Sequence, residues 1–153
     1  MKSTSTLLAR DGPLGTSDFL IRLEAVALPN AKTFLHLTYS YAINISGQLA
    51  LQAYLGTVGS NKVGFTVMGK QADGQPDYIR GVRGLMERNT MRYYLAIDSF
   101  LGATRTAPAA RFEKRLQNWF TAAERYPRQL HEMDRRTYVE MKRAEHVRQQ
   151  TVY

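Results

Sequence analysis

The sequence predicts an α+β protein, with an antiparallel β-sheet in the N-terminal half and helices in the C-terminal half. Three observations carry this. Residues 33–45 alternate apolar and polar side chains, the period of a half-buried strand. Residues 82–144 place apolar side chains three and four apart, the period of helices with one buried stripe. The two patterns do not interleave: strands come first and helices after, unlike the alternation of a parallel α/β sheet.

Taken in order, Leu7 to Arg10 reads as a short first strand, turning back through Asp11-Gly12-Pro13-Leu14-Gly15. Residues 18–28 and 33–45 flank Pro29-Asn30-Ala31-Lys32, a connection of hairpin length. In the second run Leu35, Leu37, Tyr39, Tyr41 and Ile43 share one face, and His36, Thr38, Ser40 and Asn44 the other. Residues 46–58 are ambiguous. Leu51, Tyr54, Leu55 and Val58 sit at helical spacing behind a capping Ser46, while Leu49, Leu51 and Ala53 permit a strand; a short helix is the expectation. Lys62 to Lys70 then holds Val63, Phe65 and Val67 on one face, and Asp73-Gly74 reads as a two-residue hairpin turn into Gln75–Arg80.

From about Val82 to Leu101, Met86, Thr90, Tyr93, Tyr94, Ile97 and Leu101 form a stripe that Gly102 ends. Phe112, Leu116, Trp119, Phe120 and Ala123 form a second from about Ala109. Pro127 suits the first turn of a third helix through Leu130, Met133, Thr137, Met141 and Ala144. That helix pairs its own charges at i,i+4: Arg128–Glu132, Glu132–Arg136 and Arg136–Glu140. The expectation is one domain spanning 1–153, mostly strands over 1–81 and mostly helices over 82–153, with four to six strands and three helices, at least one packed on the sheet.

Composition excludes several classes. With no cysteine there is no disulfide framework, thiolate chemistry or cysteine metal site. No apolar run approaches the ~18 residues of a membrane span; Arg22, Glu24, His36 and Asn44 interrupt the longest, and the N-terminus lacks a signal-peptide core. A cytoplasmic protein is expected. The chain opens almost directly on strand-like sequence, which leaves open a missing upstream portion of the domain.

Catalytic and metal signatures are weak. His36, His131 and His146 are not at the three- or four-residue spacing of helical ligands, so no metal or cofactor is expected. No G-x-S-x-G elbow is present, and Asp18 and Glu24 lie too far apart along one strand for a carboxylate pair. Gly56-Thr57-Val58-Gly59-Ser60-Asn61-Lys62 departs from the Walker phosphate loop. Its G-x-x-G would need helices on both sides, so a helix-to-strand turn is the preferred reading.

Two binding features remain. The net charge is +8, and most of the excess lies between Arg80 and Arg115. Arg80, Arg83, Arg88 and Arg92, near Tyr78, Tyr93 and Tyr94, are the candidate anion-binding residues, for nucleic acid or anionic lipid. Separately, Leu37, Tyr39, Tyr41, Phe65 and Tyr94 would share an inward face rich in tyrosine, which needs hydroxyl partners or water. That suits a small-molecule cavity, with an ordinary packed core as the bland alternative.

The segments Leu14-Gly15-Thr16-Ser17-Asp18-Phe19, Thr33 to Ile45, Lys62 to Lys70 and the helix near Val82 resemble the START-like, helix-grip superfamily of lipid-transfer proteins and polyketide cyclases. The likeness covers about half the chain, rests on pattern without a specific motif, and would make this chain truncated at its N-terminus. The resemblance implies an apolar ligand held between a curved sheet and a helix, and no catalytic residue carries over. The expected function is therefore non-catalytic binding of a lipid-like or other apolar or amphipathic small molecule. The alternatives are nucleic-acid or anionic-partner binding through the arginines, and an enzyme with scattered acid and base residues.

Overall fold

The structure, a computed structural model, describes residues 2–11, 16–57 and 59–151. The α+β class holds, and the chain forms two compact units, Met1–Ser60 and Asn61–Tyr153.

The first unit is a meander of three strands followed by a helix. Strands β1 (Lys2–Asp11), β2 (Thr16–Leu28) and β3 (Lys32–Ile43) pair antiparallel in the order β1-β2-β3. Strand β1 starts well before Leu7, because Lys2 to Thr6 find backbone partners along β2 from Val26 to Arg22. The turn expected after it falls on 12–15, outside the described residues. Strand β3 alternates as predicted: Leu35, Leu37, Tyr39, Tyr41 and Ile43 are half-buried and the residues between them exposed. Cross-strand pairing sets Ile21 opposite Tyr39 and Leu23 opposite Leu37, and Phe19 stacks on Tyr41 at 5.2 Å. On the opposite face Glu24 bridges all three strands, 2.6 Å from Lys2 Nζ and 3.2 Å from His36 Nδ1.

Residues 45–56 are helical, as preferred. Helix α1 (Ile45–Gly56) is capped by Asn44, whose side-chain oxygen accepts from the Gly47 N–H at 2.8 Å. Ser46, the expected cap, instead donates to the same oxygen. At the other end the Gly59 N–H returns to the Tyr54 carbonyl at 2.8 Å, so the glycine-rich segment begins as a helix stop. A helix C-terminus presents carbonyls, and these repel phosphate.

The second unit opens with an extended segment, 63–66, and a hairpin of β4 (Val67–Lys70) and β5 (Pro76–Tyr78). The hairpin exists, but Asp73-Gly74 is not a two-residue turn. The Gly74 N–H bonds to the Gln71 carbonyl, Gly74 takes φ +81°, and Gln71 pairs with Gln75, giving a longer loop. The five described strands thus divide into a three-stranded and a two-stranded sheet.

Four helices follow: α2 (Gly81–Gly102), α3 (Pro108–Ala123), α4 (Pro127–Leu130) and α5 (Arg135–Thr151). The third predicted helix is split in two. Asp134 breaks it by accepting the Thr137 N–H at 3.0 Å, a fresh N-terminal cap. Glu132 consequently leaves the helical ladder and pairs with Arg92 of α2, while Arg136–Glu140 forms as expected. The core comprises Leu95, Ala122, Ala123 and Leu130, with Phe65, Met91, Trp119 and Tyr126 packed around them.

The stripe expected on α2 is rotated. Its buried positions are Gly84, Arg88, Leu95 and Ser99, whereas Tyr94 and Leu101 are 58% and 52% exposed. Close approach explains the rotation. A Cβ at Gly64 would lie 2.6 Å from Glu87 Oε2, 2.7 Å from Ile79 Cγ2 and 2.9 Å from Gly84 Cα, so the segment at Gly64 lies directly on the helix. Gly64→Ala is expected to destabilise the second unit by at least about 2 kcal/mol, through overpacking against a fixed backbone. A urea unfolding midpoint equal to that of the parent protein would contradict this.

Candidate functional site

Two chain segments meet α2 near Gly84. Residues 63–66 pass along the helix, joined to the residues after β5 by Gly64 N–H to Ile79 O at 2.7 Å and Ile79 N–H to Thr66 O at 2.9 Å. The Glu87 carboxylate completes the attachment. Oε2 accepts the Phe65 and Thr66 N–H groups at 2.7 and 2.9 Å, and Oε1 accepts the Thr66 hydroxyl at 2.6 Å. Arg83, one turn earlier, adds a contact at 3.4 Å. Burial pushes the Glu87 carboxyl upward, but the Thr66 and Phe65 hydrogen bonds and the Arg83 charge outweigh it and hold the group below its ordinary value.

Beside this clamp lies an open groove of about 650 Å³, lined by Phe65, Met86, Met91 and Tyr94 with Thr66, Arg83, Glu87 and Thr90. Phe65 is anchored edge-on to Tyr126 at 5.3 Å, and Tyr94 stands largely exposed. Two of the five predicted ligand-binding residues, Phe65 and Tyr94, therefore share one groove, together with Arg83 of the predicted anion site. Leu37, Tyr39 and Tyr41 belong to the first unit, on the half-buried face of β3, where Tyr39 and Tyr41 stack at 6.4 Å.

The four arginines do not form a solvated patch. Arg88 is 0% exposed: Nη1 reaches the Val63 carbonyl at 3.4 Å, while Nε and Nη2 have no hydrogen-bond partner. Sequence reasoning put it outside because a charge is normally solvated. It falls inside because it sits four residues after Gly84, on the contact face. Arg92 is committed to Glu132 and to Asn89, and Arg83 to Glu87. Arg80 caps the start of α2 in extended backbone.

A second cleft, of about 440 Å³, runs between α2, α3 and α5. Sequence reasoning missed it: Tyr93, Leu116 and Trp119 read as helix-stripe residues, and Phe100 and Tyr138 fall in no stripe. Its aromatic walls are Tyr93, Phe100, Trp119 and Tyr138, and Trp119 stacks on Tyr138 at 5.0 Å. Burial, helped by Glu145, pushes the Tyr138 hydroxyl up to about 12, so it stays protonated near neutral pH. Among the described residues no three His, Asp or Glu side chains gather as a metal site. Nor is any helix long and apolar enough to cross a membrane. No protein-family model, curated protein or solved structure matches the chain.

Because the folded pKa of Glu87 is depressed, its clamp contributes fully above the unfolded carboxyl value. The contribution disappears as pH falls through the lower folded value. Glu87→Gln should reduce stability at pH 7 and flatten the acid limb of the stability profile relative to the parent. Parallel acid limbs in urea titrations of the two proteins would refute the clamp.

Proposed function

We propose that this protein binds an apolar or amphipathic small molecule, without catalysis, in the groove along α2. The observation that carries the reading is the composition of that groove: two aromatic and two methionine side chains beside a polar end of Thr66, Arg83 and Glu87. Methionine adapts to irregular apolar ligands, and an exposed tyrosine supplies area with a polar tip. The volume falls within the range of about 300–1,000 Å³ that small-molecule sites occupy. At the polar end, Arg83 keeps most of its side chain in solvent while its Nε faces Glu87, so a cation stands beside the apolar wall. A lipid-like ligand, of the kind the START-like resemblance implies, fits this division between apolar wall and polar end.

The engagement of the arginines favours this reading over polyanion binding. Phosphate-backbone recognition needs several solvated cations on one surface. Of the four candidates, Arg88 is buried and Arg92 is held by Glu132.

Titration with a dansyl-labelled fatty acid tests the proposal. Removing Tyr94 and Met91 together (Tyr94→Ala with Met91→Ala) should weaken binding at least about tenfold, given the ~1.5–3 kcal/mol of burying each large apolar side chain. Raising salt from low to physiological should change the affinity little. Unaltered affinity in the double variant would reject the groove. Tight RNA binding that collapses with salt would restore the polyanion reading.

A further inference from the structure

The cleft between α2, α3 and α5 carries polar atoms that its own protein groups leave unused. Ser99, on the α2 face against α3, is 4% exposed, and its Oγ is buried without a hydrogen-bond partner. Arg115, from α3, has a buried Nε that likewise lacks one. Both side chains line the cleft. A buried hydroxyl or guanidinium N–H without an acceptor costs about 1–3 kcal/mol, and such groups in native proteins call for a specific explanation.

The surroundings say which acceptor would answer them. The Arg115 guanidinium lies over the Phe100 ring, 3.8 Å from its centroid, and makes no ion pair with any described residue. Stacking holds the fork in one plane while its N–H groups point outward from that plane's edge. The other two cations lining the cleft are engaged, Arg92 with Glu132 and Lys142 with Glu145 at 2.7 Å. No Asp or Glu lines the cleft itself. The remaining walls are flat and aromatic: Tyr93, Trp119 and Tyr138.

We propose that this cleft is a binding site for a small aromatic carboxylate, its anionic group held by Arg115 and Ser99 and its ring set among Tyr93, Trp119 and Tyr138. The site is separate from the α2 groove and does not rest on the reading of that groove. None of Phe65, Met86, Met91 and Tyr94 lines it.

The protein supplies its own reporter, because Trp119 is the single tryptophan and its indole N–H gives one resolvable amide-type resonance. That N–H faces the Arg92 carbonyl at 3.4 Å at the edge of the cleft. Titrating 2-naphthoate into the full-length protein labelled with nitrogen-15 should move this resonance saturably. The neutral analogue, 2-naphthylmethanol, should bind at least about tenfold more weakly, equivalent to ~1.4 kcal/mol. Arg115→Gln should cost about tenfold or more and Ser99→Ala at least about threefold, as for lost charged and neutral hydrogen bonds. Lys114→Gln, an exposed charge change on the same helix, should leave the titration unchanged. Equal binding of acid and alcohol overturns the proposal, as does an unmoved Trp119 resonance up to the solubility of the probe. If Arg115→Gln unfolds by circular dichroism, Ser99→Ala and the acid–alcohol comparison decide in its place.

Discussion

One carboxylate organises the second unit. Glu87 receives two consecutive backbone N–H groups and a hydroxyl from residues 65–66, and so converts an extended segment with few strand partners into a fixed wall against α2. Charge-assisted bonds of this kind are about twice as strong as neutral ones, and here three act on one group. The two glycines at 64 and 84 allow the approach that places Glu87 within reach. Phe65, docked on Tyr126, and the hairpin beyond it follow from that attachment.

The same contact explains why α2 buries polarity. Its inner face must be narrow near Gly84 to receive the segment at Gly64, and it meets α3 further along at Leu95 and Ser99. Arg88 falls between these demands. A guanidinium with one long bond to the Val63 carbonyl and no carboxylate is a costly core residue. Its planar, weakly hydrated head makes arginine the least unfavourable cation to place there.

Legibility in the sequence followed how far each element depends on its own residues. The β3 alternation, the start of α3 and the extent of α2 were readable, since period and helix stops are local signals, whereas α1 stood between helix and strand and its cap is Asn44 rather than Ser46. The rotation of α2 was not. It is set by the segment at Gly64, and the side chains that face inward, Arg88 and Ser99, look like surface residues in isolation. The helix break at 131–134 was equally hidden. Arg128, Glu132 and Arg136 at regular spacing argue for continuity, and only the bond from Thr137 to Asp134 shows that a cap has won. For the groove, Phe65 and Tyr94 were visible as aromatics, but Met86 read as core and Met91 belonged to no stripe. The second cleft needed three helices to be brought together before Arg115 and Ser99 could be noticed at all.

Helix α5 is attached differently from its neighbours. Among its residues only Val139 is buried, and α3 holds it through ring contacts, Trp119 and Phe120 with Tyr138 and Phe112 with His146, together with polar ones, Arg135 to Gln117 and Thr121 and Arg143 to Glu113. The polar contacts among these are each worth little in water, and the ion pair is screened by salt. Since Tyr138 and Lys142 come from α5, one wall of the aromatic cleft is carried by a helix with a single buried residue. That wall is held by stacked rings and surface pairs rather than by a core of its own.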